Sequence, residues 1–188
     1  MTESISWLRL EEPTPTPEAA AVLDATRARL GYVRNGQRAV ASKPRIMVAM
    51  EALSEAVNRD PDARLSPRER ELIALVVSVQ NGCEACVFSH AAALRKHTND
   101  PILVATVEVS WRRAALTPRE KALARYAEAL TRAPRDVEET DLDALRAAGL
   151  DDTAILEAAA ITGYFNMTNR VNSGLGVHAN AEAYAANR

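Results

Sequence analysis

From Pro44 onward the apolar residues Ile46, Met47, Met50, Leu53 and Val57 recur every three or four positions, the spacing that lines one face of a helix. Pro44 suits the first helical position, where a missing N–H is no loss. The run from Leu72 to Val79 is instead apolar nearly all round, which predicts a buried helix. Just ahead of it, Ser66 can cap, Pro67 can open the helix, and Glu69 can reach back to close a capping box. The same signature returns as Leu116-Thr117-Pro118-Arg119-Glu120, followed by an alanine- and leucine-rich run to about Leu130. Two copies are too few for a solenoid, so they indicate two related helical hairpins packed together, or simply two good helix starts. Further helices are expected from about Glu18 to Leu30, from about Pro101, and from about Val137 to Ala148 with Gly149 as the stop. A last one starts at Asp151 or Asp152 and runs to about Ser173, where Gly174 and Gly176 end it before a short tail. Gly31, Asn35 and Gly36 punctuate a turn. Residues 1–17, with three prolines alternating with threonine, read as an extended arm that docks on a neighbour, and residues 18–188 as a single helical domain. No stretch alternates with period two for long enough to make a strand, so the fold class is all-α, with about eight or nine helices.

Composition narrows the function. The chain has 188 residues, 47% apolar and 26% charged, and no unbroken apolar run near the ~18 residues of a membrane span. A net charge of −2, with scattered Lys and Arg, removes the electrostatic footprint that nucleic-acid binding needs. Met1 to Glu12 carries three acidic residues and no signal-peptide core, so the expected compartment is the cytoplasm. In that reducing setting two close cysteines are catalytic, redox-sensing or metal-binding rather than a structural framework.

Glu71, Cys83, Cys86 and His90 fall within twenty residues. Asn81-Gly82 can end the helix begun at Pro67, which places Cys83 near the first turn of the next helix, where free N–H groups and the positive dipole end favour a thiolate. On that helix Cys83, Cys86 and His90 are spaced i, i+3 and i+7, along one face. Glu71 heads the buried helix, where desolvation is expected to raise its pKa toward the range of a general base. A thiolate with a Glu–His pair suits peroxide reduction: one cysteine becomes a sulfenic acid, the other condenses with it to a disulfide, and an external dithiol resets the pair. Zinc is a weaker reading, because His97 and His178 complete no recognised ligand spacing. Core packing of two buried thiols is the bland alternative. Gly174-Leu175-Gly176 lacks the strand and third glycine of a nucleotide loop and reads as a helix terminator. Asn166, Asn169, Arg170 and Asn172 interrupt an apolar helix, as a buried hydrogen-bond network, a subunit contact or one wall of an active site.

An acid, eleven residues, Cys-x-x-Cys and a histidine four further on, here Glu71, Cys83, Cys86 and His90, resemble the AhpD-like branch of the carboxymuconolactone decarboxylase superfamily, and within it the group of peroxidase-related proteins. The likeness runs from about Gly31 to Val177 and takes in Pro44, the Leu116-Thr117-Pro118-Arg119-Glu120 start, Leu145 to Leu150, and Phe165-Asn166 with Asn169-Arg170. It implies an AhpD-like helical bundle with Cys-x-x-Cys at the start of a core helix, assembled as a homo-oligomer, commonly a trimer or hexamer, with the site near subunit contacts. It also implies that Cys86 attacks the hydroperoxide and Cys83 resolves, although the dipole alone favours Cys83. Glu71 and His90 would relay protons, with no bound cofactor and a dithiol, of thioredoxin or lipoyl type, as reductant. The chain departs from the best-understood members at Ala85, where they carry a histidine. Two other functions stay open: a redox-sensing or structural oligomer of the same fold, and a lactone decarboxylase that does not use the cysteines.

Overall fold

The computed structural model describes residues 4–9 and 14–188. Its helices are α1 (Pro17–Leu30), α2 (Asn35–Val40), α3 (Pro44–Asn58), α4 (Pro67–Gln80), α5 (Glu84–Thr98), α6 (Pro101–Ser110), α7 (Pro118–Arg132), α8 (Glu139–Ala147), α9 (Asp152–Gly174) and α10 (Ala181–Ala185), with short 3-10 turns at Trp111–Arg113 and Pro134–Asp136. Among the described residues there are no strands. Five helices begin on proline, at residues 17, 44, 67, 101 and 118, because the first helical N–H has no intrahelical acceptor to lose.

The core is organised around α4, whose residues from Leu72 to Ser78 are all buried. It packs against α5, α7 and α9, and α3 packs against both α9 and α4. Apolar residues on every side of α4 are therefore explained by helices on every side. Leu75 is fully buried, and Leu75→Ala is expected to lower unfolding stability by about 2–5 kcal/mol, since neighbours this enclosed collapse only partly into the cavity. A denaturant-midpoint comparison measures it.

Both capping boxes form. Ser66 Oγ accepts from the Glu69 N–H while Glu69 accepts from the Ser66 N–H, and Thr117 and Glu120 do the same. The two copies are also cross-linked: Arg68 Nε donates to Glu120 at 2.6 Å and Arg119 Nε donates to Glu69 at 2.6 Å. Each capping carboxylate thus serves its own helix start and the arginine of the other copy, so the repeated motif pairs α4 with α7.

Two sequence expectations need correction. Asn35 and Gly36 belong to α2 rather than to a turn; this six-residue helix has no side-chain N-cap, and its Asn35 N–H is held by Asn180 Oδ1 at 2.8 Å, a contact 145 residues away. The short tail after Gly176 carries α10, whose end Arg95 of α5 secures by donating to the carbonyls of Ala183, Tyr184 and Ala186. With these two short helices, the described residues hold ten α-helices rather than eight or nine. The described part of the arm makes two hydrogen bonds within the chain: His178 N–H donates to the Ile5 carbonyl and Trp7 N–H to the Leu175 carbonyl, each at 2.9 Å. The rest of the expected arm, residues 1–3 and 10–13, lies outside the described residues, and α1 begins at Pro17. No helix among the described residues is long and apolar enough to cross a membrane.

Candidate active site

The chain leaves α4 at Asn81 and reverses through Gly82, whose φ of +64° is a conformation that side-chain-bearing residues adopt at a cost. The Cys83 N–H donates back to the Ser78 carbonyl at 3.1 Å, and Cys83 becomes the N-cap of α5. Cys86 then stands at the third helical position. The two sulfurs form a disulfide, with Cα atoms 5.3 Å apart, and both residues are buried, at 3% and 5% exposure. The dipole argument that favoured Cys83 therefore reaches Cys86 as well, since the field of a helix end acts over the whole first turn.

Glu71 and His90 meet across the α4–α5 interface. Glu71 Oε2 is 2.8 Å from His90 Nδ1, and Glu71 Oε1 accepts from Asn58 Nδ2 at 2.9 Å. Both side chains are largely covered, at 12% and 14% exposure. The expectation that burial would raise the Glu71 pKa is overturned. Desolvation does push it up, but the hydrogen bond from His90, the charge of that ring and the Asn58 amide together outweigh it and hold the carboxyl below its ordinary value. An ionised Glu71 can only accept, so the proton on a neutral His90 sits on Nδ1 and Nε2 keeps its lone pair. Glu71 is thus the anchor that orients the imidazole, and the basic atom of the pair is His90 Nε2. The ring is also fixed edge-on against Phe165, with centroids 4.3 Å apart.

Cys86 and His90, one turn apart on α5, both line a cavity of about 90 Å³. Met47, Met50, Tyr164 and Phe165 supply apolar walls, and Ala85 faces the same space. Cys83 is not among its lining residues. From α9, Asn172 Nδ2 donates to the Cys86 Sγ at 3.3 Å. Gly36 of α2 makes room for it, because a Cβ there would stand 2.9 Å from Asn172 Oδ1.

The polar run on α9 therefore divides. Asn166 and Asn169 accept from Asn81 Nδ2, at 3.1 Å each, and donate to Thr131 and Ser78, forming a network that ties α9 to α4, α7 and the turn before Cys83. Asn172 is part of the cavity wall, while Arg170 is exposed and reaches back to Asn166. Asn58 and Gly36 were not singled out from sequence. Nothing local marks them, since Asn58 reads as a helix end and Gly36 as a turn.

The comparisons agree with this architecture. The carboxymuconolactone decarboxylase family model matches residues 44–129, the stretch that carries α3 to α7 and the cysteine pair. The structure of a peroxidase-related protein from Silicibacter sp. TM1040 is 34% identical, with a TM-score of 0.92 over 99% of this chain and 97% of that one. An alkylhydroperoxidase AhpD core protein from Ralstonia eutropha JMP134, also peroxidase-related, is 29% identical with a TM-score of 0.93, over 100% of this chain and 98% of that one. An apo debrominase shares the fold at 21% identity and a TM-score of 0.80, over 96% and 97% of the two chains. No curated protein matches the chain. A family model centred on the cysteine segment and a 34%-identical relative matched nearly end to end place the chain in the carboxymuconolactone decarboxylase family, to whose AhpD-like, peroxidase-related branch it belongs.

Proposed function

We propose that the protein is a thiol peroxidase that reduces hydroperoxides through a Cys83–Cys86 dithiol–disulfide cycle. The observation that carries this reading is that Cys86, paired with Cys83, opens on a cavity it shares with a histidine anchored by a carboxylate. In the reduced enzyme the Cys86 thiolate attacks the distal oxygen of the hydroperoxide. His90 Nε2 has taken the Cys86 thiol proton; an S–O bond forms, the O–O bond breaks, and His90 returns that proton to the departing alkoxide, giving an alcohol and a sulfenic acid. Cys83 then attacks the Cys86 sulfur, the S–O bond breaks, and water leaves as the disulfide closes. An external dithiol, of thioredoxin or lipoyl type, supplies two electrons and two protons to restore both thiols. The cycle uses no bound cofactor.

Asn172 is assigned a supporting role, donating to the Cys86 sulfur in its thiolate form as it does in the disulfide. Hydrogen bonds to charged groups contribute more than neutral ones, so Asn172→Ala is expected to slow alkylation of Cys86 at neutral pH by roughly tenfold. Rates for the reduced protein with iodoacetamide measure this.

Assembly as a homo-oligomer, a trimer or hexamer, and residence in the reducing cytoplasm are part of the same proposal. Exposed Ile102 and Val109, seven residues apart on one face of α6, support association. The test of function is peroxide consumption by the reduced protein with a small dithiol, beside a variant with serine at both cysteines. Turnover confined to the wild type supports the peroxidase. Lactone decarboxylation that survives in the double variant would move the assignment to a lyase. Ala85, in place of the family's histidine, favours one further reading, a redox sensor: no turnover, together with different size-exclusion profiles for the reduced and oxidised protein, would select it.

A further inference from the structure

We propose that Asn180 is a positioning residue for Cys86: it holds the first turn of α2 in place, so that Gly36 backs the Asn172 carboxamide and that amide keeps donating to the sulfur. This role rests on the peroxidase reading above, in which Cys86 is the attacking thiol.

Residues 33–37 form a thin partition. Val33 and Asn35 line a cleft of about 1030 Å³, whereas Arg34, Gly36 and Gln37 line the Cys86 cavity, and Asn180 lines both. A turn with space on two sides has few packing partners there, so its polar contacts decide where it stands. Arg34 ties it to Glu51 of α3 at 2.6 Å. The other anchor is Asn180, whose Oδ1 accepts from the Asn35 N–H at 2.8 Å and whose Nδ2 donates to the Val33 carbonyl at 3.2 Å. The reverse orientation of this amide would set donor against donor and oxygen against oxygen. Asn35 returns a hydrogen bond from its own Nδ2 to the His178 carbonyl at 3.1 Å. Because α2 lacks a side-chain cap of its own, Asn180 does from 145 positions away what an N-cap residue does locally.

The effect on the sulfur passes through Gly36. An ideal Cβ there would stand 2.9 Å from Asn172 Oδ1 and 3.3 Å from Asn172 Nδ2, so the bare Cα lies against the carboxamide. The same Nδ2 donates to Cys86 Sγ at 3.3 Å. If α2 shifts, the amide loses this backing, its side chain can take another rotamer, and the Cys86 thiolate loses a donor.

The test is the rate of alkylation of Cys86 by iodoacetamide over a pH series, in reduced Cys83→Ser, where Cys86 is the one cysteine left. Asn180→Ala in that parent is expected to slow the reaction at neutral pH by about three- to tenfold and to raise the midpoint of the pH profile by up to about one unit. A merely structural role predicts the opposite sign, since local loosening around a cysteine only 5% exposed speeds its alkylation. Arg34, Glu51, His90 and Tyr164, the titratable side chains that line the cavity with Cys86, are retained in every variant. In an Asn172→Ala background Asn180→Ala should have no further effect, because both changes remove the same contact. Gly36→Ala keeps the Asn180 anchors and adds the crowding Cβ, and it is expected to slow alkylation likewise. An Asn180→Ala rate equal to or above that of the parent, an Asn180→Ala effect undiminished beside Asn172→Ala, or a Gly36→Ala rate equal to that of the parent would each overturn the role. Peroxide turnover with both cysteines present separates this role from the peroxidase reading. Slowed alkylation in a protein that consumes no peroxide would support the positioning and remove the peroxidase. Turnover by the wild type, with alkylation unslowed in Asn180→Ala, would do the reverse.

Discussion

Cys86→Ser is expected to abolish hydroperoxide turnover, with a loss of at least about 10³-fold, whereas Cys83→Ser should consume one equivalent of peroxide and then stop. The asymmetry follows from position. Cys86 lines the cavity with His90 and accepts a hydrogen bond from Asn172, while Cys83 caps the helix and does not line that space. A serine hydroxyl at residue 86 is a far poorer nucleophile toward peroxide than a thiolate, because it stays protonated at neutral pH. Serine at residue 83 leaves the first step intact and removes only the resolving sulfur. Steady-state rates with a dithiol reductant, and the stoichiometry of a single exposure without one, separate the two variants. Equal impairment at the first step would exchange or merge the roles.

The second large effect is expected at Glu71→Gln, with a fall in kcat of roughly 10² to 10⁴-fold, the usual range for a general acid–base element. The variant keeps the shape but not the charge. A glutamine amide can donate to His90 Nδ1, which permits the tautomer carrying its proton on Nε2, the wrong atom for accepting one. The same substitution has a pH signature in stability. The folded Glu71 carboxyl is held below its unfolded value by His90 and Asn58 against the opposing cost of burial. Its contribution to stability is therefore fully present above the unfolded pKa and is lost as pH falls through the lowered folded one. The stability gap between wild type and Glu71→Gln should be largest near neutrality and should shrink on the acid side of the carboxylate range. Denaturant titrations at several pH values read it, and a gap that widens on acidification would contradict the lowered pKa.

Much of this molecule was legible before its structure because its helix starts are chemically explicit. Ser66-Pro67 and Thr117-Pro118 each combine a capping oxygen, a proline and a returning glutamate, so the boundaries of α4 and α7 follow from local hydrogen bonding. The same locality placed Cys83, Cys86 and His90 on one helix and Glu71 on its buried neighbour. What local rules could not supply was every feature set by residues distant in sequence. Helix α2 depends on Asn180, α10 on Arg95, and Asn172 reaches the sulfur only because Gly36 leaves space 136 positions earlier in the chain. The sign of the Glu71 shift is the same lesson in energetic form. Burial was readable from the apolar run around it, but the two donors that reverse the effect come from α3 and α5.

The central claim, that Cys86 is the atom oxidised by peroxide, is tested most directly in reduced Cys83→Ser. The protein is given one equivalent of hydroperoxide, trapped with a sulfenic-acid reagent and mapped by mass spectrometry. The mechanism requires a trapped sulfenic acid on Cys86 in step with release of one equivalent of alcohol. Peroxide left unconsumed, with Cys86 still a free thiol, would contradict it.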